Sequence, residues 1–207
     1  MIDPLGLITV LTAFFIVAAS PGPATLAVAA VSMSVGRRSG MVFGAGLSCG
    51  LAFWGVVAAT GLGAVLQTSA TALFWLKIAG GIYLLWLAWR SARSAMQNST
   101  TPAKSLGGGK LFTRGFGLNL SNPKAVLAWM ATLALGIGDG SSLLQVFVAT
   151  ALCIVCGFVI YAAYSMVFST ASAMSAYAGL RRWIDGAVAG LFAVAGVGLV
   201  KSAFART

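Results

Sequence analysis

Ser20-Pro21-Gly22-Pro23 and Ser121-Asn122-Pro123-Lys124 interrupt two long apolar stretches of the chain. Proline lacks the backbone N–H of a helical residue and clashes with the carbonyl four positions earlier. In lipid, the polar groups freed in this way survive only where protein or a water-filled cavity covers them. Two such breaks, one in each half, predict a transporter with a central binding site between broken helices.

The rest of the composition makes a membrane reading close to forced. Of 207 residues, 59% are hydrophobic and 8% charged, with a mean hydropathy of +0.97. A soluble domain carries about 25% charge. The net charge of +10 comes from 13 Lys and Arg against Asp3, Asp139 and Asp185. The basic residues sit at the ends of apolar runs, which points to membrane orientation rather than nucleic acid. Cys49, Cys153 and Cys156 lie in apolar segments, so a disulfide framework is not expected. Histidine is absent, which argues against imidazole metal sites, and no metal or other cofactor is expected. Ala18-Ala19-Ser20 has the look of a signal cleavage site, but the segment before it lacks a basic region, carries Asp3, and resumes its apolar pattern at Ala24.

A spanning helix needs about 20 apolar residues. Six stretches qualify: 5–35, 40–66, 72–94, 114–136, 143–171 and 182–204. Residues 95–113 form a polar linker with Pro102 and Gly107-Gly108-Gly109. It divides a first three-helix repeat, 1–94, from a second, 114–207. The expected fold is all-α integral membrane, six transmembrane helices as a 3+3 inverted repeat with broken helices 1 and 4. Arg37, Arg38, Arg90, Arg93, Lys104, Lys110, Arg114, Arg181 and Arg182 fall on one side; Lys77, Lys201 and Arg206 fall on the other. Nine against three puts the linker in the cytoplasm and both termini outside. Each third helix also has an Ala-Gly pair, Ala79-Gly80 and Ala189-Gly190, followed by Arg90 or Lys201.

Pro23 lies about 13 residues from Arg37 and Lys124 ten from Arg114. At about 1.5 Å per residue both breaks are near mid-membrane. Asn122-Pro123 reads as an N-cap followed by proline at the first helical position, and Ser20-Pro21 or Gly22-Pro23 reads the same way. Each break therefore starts a half-helix whose N–H groups and positive dipole end favour an anion. Lys124 adds a formal charge at a depth that costs on the order of 3 kcal/mol. No acid lies deep in a predicted helix, since Asp185 is near the inner end of the sixth, so Lys124 has no evident permanent partner. A carboxylate that comes and goes fits that gap. The carbonyls freed by the prolines belong to Val17, Ala19 and Asn119, and with Ser20, Thr25, Asn119 and Asn122 side chains they could accept from an ammonium. Donors on one side and acceptors on the other suit a zwitterionic amino acid.

These residues carry a resemblance to the lysine exporter/homoserine–threonine resistance (LysE/RhtB) family. The matching segments are Ser20-Pro21-Gly22-Pro23, the run Leu76-Lys77-Ile78-Ala79-Gly80-Gly81-Ile82-Tyr83-Leu84-Leu85, and Phe112-Thr113-Arg114-Gly115-Phe116 leading to Asn119-Leu120-Ser121-Asn122-Pro123-Lys124-Ala125. The resemblance implies efflux of amino acids or close derivatives from the bacterial inner membrane, by proton antiport. The chain departs from it in reading Leu133-Ala134-Leu135-Gly136-Ile137-Gly138 after the second break, and in having Cys156 near where many members carry an acid. The missing acid favours neutral or hydroxylated substrates over cationic ones.

Gly40, Gly44 and Ser48, with Gly46 and Gly50, and then Gly186 and Gly190, place small residues four apart. Such spacing serves close helix packing or a homodimer face. Tyr161 and Tyr164 are candidates for lining the pathway. Trp75, Trp86, Trp89 and Trp183 fall near span ends, where interfacial belts form. Cys153-Ile154-Val155-Cys156 has redox spacing, so a membrane thiol–disulfide electron carrier is one alternative; a cation exporter of similar topology is another. No nucleophile–base pair or phosphate loop stands out, and an enzyme is not expected.

Overall fold

The computed structural model describes residues 3–68, 70–96, 110–136 and 142–204. Among them every regular element is a helix: α1 Pro4–Ala19, α2 Pro23–Ser34, α3 Arg37–Thr68, α4 Ala70–Met96, α5 Leu111–Leu120, α6 Pro123–Gly136, α7 Leu143–Val167 and α8 Ala171–Phe204.

Local chemistry sets the ends. Asp3 caps α1, its carboxylate accepting from the Leu5 and Gly6 amides at 3.0 Å each, with Pro4 at a position that needs no donor. The Asp3 amide in turn donates to buried Gln145 at 2.9 Å, tying α1 to α7. Ser142 caps α7 by accepting from the Gln145 amide at 3.2 Å. The turn from α2 into α3 passes through Gly36 at φ 100°, a conformation that favours glycine.

α1 and α2 meet at a bend of 55° across Ser20-Pro21-Gly22. α5 and α6 are separated by Ser121 and Asn122. Each proline segment thus falls where one helix ends and the next begins. The expected sixth stretch, 182–204, matches the apolar span Gly179–Phe204 within a helix that starts earlier, at Ala171. Its first turns are rich in alanine, a strong helix former that hydropathy undervalues. Of the linker, 97–109 lies outside the described residues, as does Asp139; α4 and α5 reach in from either side to Met96 and Leu111.

The most extensive packing joins α4 to α8 and α3 to α5, followed by α3 with α7, α1 with α6, α4 with α6, α2 with α3 and α1 with α7. Glycines permit the closest approaches. A Cβ at Gly81 would lie 2.6 Å from Val200 Cγ2, and one at Gly50 would lie 2.8 Å from the Phe116 carbonyl oxygen. Gly44 abuts Tyr161 and Ser165 of α7. The small residues of α3 thus serve packing within the chain, whereas a Cβ added at Gly186 or Gly190 of α8 would meet nothing within 4 Å among the described residues. α1 and α6 lie firmly together, while α2 and α5 barely touch.

Two buried clusters result. One gathers Phe14, Leu47, Leu51, Trp129 and Tyr161; the other gathers Tyr83, Leu84, Phe192 and Leu199, with Val17 and Ala128 at its edge. Large apolar side chains such as Leu5, Phe53, Val155, Val159 and Val194 remain exposed, as a lipid-facing surface requires. Trp75, Trp86, Trp89 and Trp183 are exposed too. By length and apolarity, segments of α3, α7 and α8 can each cross a membrane, and the bent α1–α2 pair makes up to four.

Candidate functional site

The first break is filled largely by backbone chemistry. The Val17 carbonyl accepts from the Ser20 hydroxyl at 2.7 Å. The Ala19 carbonyl accepts from the Tyr164 hydroxyl at 2.8 Å. The Gly22 amide donates to Thr25 Oγ1 at 2.9 Å, and that hydroxyl lies 3.1 Å from the Gly22 carbonyl oxygen and 3.4 Å from that of Ser20. Of the two candidate starts, Gly22-Pro23 is the one that opens a half-helix. Pro21 is half-buried and Pro23 exposed.

The second break is built from amide side chains. Asn122 caps α6, accepting from the Lys124 amide at 3.1 Å, just ahead of which Pro123 opens the helix. Asn122 Nδ2 donates to Asn119 Oδ1 at 3.1 Å. Asn119 is fully buried and donates to the Leu47 carbonyl at 2.8 Å, with the Tyr161 hydroxyl 3.3 Å away. The Asn119 carbonyl accepts from the Asn122 amide at 3.2 Å. Because the Lys124 amide turns to the cap, the Leu120 carbonyl is released, and Trp54 Nε1 donates to it at 2.9 Å.

Lys124 joins the two breaks. Its Nζ donates to the Ser20 carbonyl at 2.9 Å and to Ser20 Oγ at 2.6 Å. The side chain lies across Gly22, where an added Cβ would sit 3.1 Å from Nζ. Lys124 therefore does have standing partners, although both are neutral. Likewise the carbonyls of Val17, Ala19 and Asn119 already have donors within the protein, so they are not idle acceptors for an ammonium. Lys124 forms no ion pair among the described residues; the charges that act on it are those of Arg90 and Asp185. Asp185 is more enclosed than its place near a helix end suggested: 3% exposed, it accepts from Ser94 Oγ at 2.7 Å and lies 3.5 Å from Arg181 Nε.

A small cavity lies between the breaks, lined by Val17, Gly22, Thr25, Asn119, Asn122, Lys124 and Tyr161 from the residues expected, together with Phe14, Leu51 and Ala128. Ala19, Ser20 and Tyr164 connect to it through hydrogen bonds instead of lining it. Trp54 and Trp129, whose indoles reach the Leu120 and Leu51 carbonyls at 2.9 and 2.8 Å, escaped the sequence reading. Their signal was the buried indole N–H, which must find an acceptor. Chemically, two helix starts and an ammonium around one space favour a carboxylate or other small anion.

A family model, the LysE type translocators, matches residues 15–203, a range that holds both breaks. The chain belongs to this family. Relatives of this LysE type translocator include a threonine efflux protein of Escherichia coli (strain K12), 28% identical over 200 residues that cover 94% of this chain and 97% of the relative. A threonine efflux protein of Salmonella typhi is 29% identical over 188 residues, covering 88% of this chain and 91% of the relative. A homoserine/homoserine lactone efflux protein of Salmonella typhimurium is 35% identical over 111 residues, 52% of this chain and 53% of its own. No solved structure matches the chain. In this translocator Cys49, Cys153 and Cys156 are free thiols, and none of them lines the cavity between the breaks.

Proposed function

We propose that the protein exports small neutral or hydroxylated amino acids, or close derivatives, across the bacterial inner membrane in exchange for protons. The observation that carries this reading is the bridge from Lys124 to Ser20 across two facing helix breaks. The substrate carboxylate displaces Ser20 from part of the Lys124 ammonium and meets the start of α2, where Gly22 offers no capping side chain, while the α6 start keeps its Asn122 cap. The released Ser20 carbonyl and hydroxyl, with Thr25 Oγ1, then accept from the substrate ammonium. One exchange of partners thus satisfies both ends of a zwitterion. The names of the threonine and homoserine efflux relatives support the substrate class, and exchange for protons follows from the family resemblance.

The same reading takes α1–α2, α3 and α4 as one repeat and α5–α6, α7 and α8 as its inverted partner, with 95–113 as a cytoplasmic linker and both termini outside. In that orientation the firmly packed pair α1 and α6 lies on the outer side, and the barely touching α2 and α5 on the inner side. This arrangement suits a carrier ready to load from the cytoplasm.

Inside-out vesicles given a panel of labelled amino acids, with and without a proton gradient, test the function. Uptake of threonine, serine or homoserine that collapses with the gradient is expected. Uptake of none of the panel would overturn export, and uptake indifferent to the gradient would overturn proton exchange alone. A periplasm-active reporter fused at residue 105 should stay silent; activity there would reverse the orientation.

A further inference from the structure

One buried polar atom stands apart. Tyr83 in α4 is 7% exposed, and its hydroxyl has no hydrogen-bond partner among the described residues. Burying a hydroxyl without a partner costs free energy, and phenylalanine would fill the same volume without that cost. The oxygen needs a reason to be there.

Its position supplies one. Gly80, one turn before Tyr83, packs against Ala131 of α6, where an added Cβ would lie 3.2 Å from the Ala131 Cα. α4 and α6 run antiparallel in the proposed topology, so one turn further along α4 corresponds to one turn earlier along α6. Tyr83 is then level with Ala128, and Lys124 is one turn beyond. The buried cluster agrees, because Tyr83 shares it with Val17 and Ala128, and both of these line the cavity between the breaks. Arg90 gives a second bearing. It lies 5.3 Å over the Trp86 ring, on which Tyr83 stacks with centroids 5.5 Å apart. Its charge acts on both the Tyr83 phenol and the Lys124 ammonium. The phenol and the ammonium therefore both lie within electrostatic reach of one guanidinium.

We propose that Tyr83 determines side-chain specificity: its hydroxyl pairs with a hydroxyl on the substrate while Lys124 and the start of α2 hold the carboxylate. This rests on the reading of the cavity as an amino-acid site. It adds a recognition element on α4, a helix that contributes no lining residue to the cavity as it stands. An apolar side chain of the same size would leave the phenol unpaired, and a site built around a hydrogen bond discriminates against the ligand that lacks it.

The test is Tyr83→Phe, assayed in inside-out vesicles with threonine against its near-isostere valine. Removing one unpaired oxygen leaves packing intact, so thermal unfolding in detergent should be unchanged or slightly later. The threonine-to-valine ratio of kcat/KM should fall about tenfold, the worth of one neutral hydrogen bond, with the change residing in the KM for threonine. An unchanged ratio would overturn the proposal, whether the wild type prefers threonine or not. Equal losses for both substrates would also overturn it, because they would mark a bound water or a packing role. Export of neither amino acid by the wild type would instead bring down the amino-acid reading of the site, and this inference with it.

Discussion

The two breaks solve one problem with different materials. The second, at Ser121-Asn122, is fastened by side chains: Asn122 caps α6, Asn119 holds Asn122, and the Leu47 carbonyl of α3 holds Asn119. The first, at Ser20-Pro21-Gly22, has a glycine where a capping side chain would stand, and its external ties are the Tyr164 hydroxyl and the Lys124 ammonium. A break anchored by a buried amide network keeps its shape. A break held by one phenol and one exchangeable ammonium changes shape when the ammonium finds another partner. Under the proposed exchange of partners, the second break belongs to the frame and the first to the part that moves.

The largest effect should come from the link between them. Lys124→Ala should reduce export to background while folded protein persists in the membrane; full activity would remove Lys124 from the site. Next, Asn119→Ala should destabilise by about 2 kcal/mol, since it strands the Asn122 side-chain amide in the interior and removes the tie to α3. Thermal unfolding in detergent measures it, and a loss under about 1 kcal/mol would deny the second break its role as frame. Gly22→Ala should act on transport instead of stability. Gly22 has φ −172°, which any residue adopts, so the cost is the crowding of Lys124 Nζ at 3.1 Å. Export should fall several-fold at unchanged unfolding temperature, and equal damage to folding would erase the contrast between the breaks. The mildest change is Tyr164→Phe, which takes the donor from the Ala19 carbonyl and should cost about 1 kcal/mol. If it outweighs Asn119→Ala, the first break is the better anchored of the two.

What the sequence disclosed was whatever depends on neighbours in the chain. Proline chemistry is local, so the break positions, the helix start at Pro123 and the Asn122 cap could be read in advance, while the first break offered two starts, Pro21 and Pro23, between which the sequence did not choose. Partners from distant helices could not. That Tyr164 would serve Ala19, that Trp54 would serve Leu120, and that Lys124 would settle on Ser20 depends on which helices pack together. Spacing does not encode that. The enclosure of Asp185 had a local hint in Arg181 four residues earlier, the spacing of a helical ion pair, but its burial comes from the fit of α4 against α8. The apolar span of α8, Gly179–Phe204, lies close to the expected 182–204; the helix itself begins earlier, at Ala171, because hydropathy measures affinity for lipid, whereas helix formation there rests on alanine.

The ties at the first break also set an order of events. The Ala19 carbonyl is served by a residue 145 positions downstream, and the Ser20 carbonyl by one 104 positions downstream. A nascent chain delivers its first helices to the bilayer long before either donor exists. Until α6 and α7 arrive, the Ala19 carbonyl lacks its Tyr164 donor and the Ser20 carbonyl has only the long contact from Thr25, at a cost of several kcal/mol for a group left unsatisfied. Residues 1–94 made alone would lack both donors. The two halves complete one another during biogenesis, and the break that marks the site is among the last parts of the molecule to be finished.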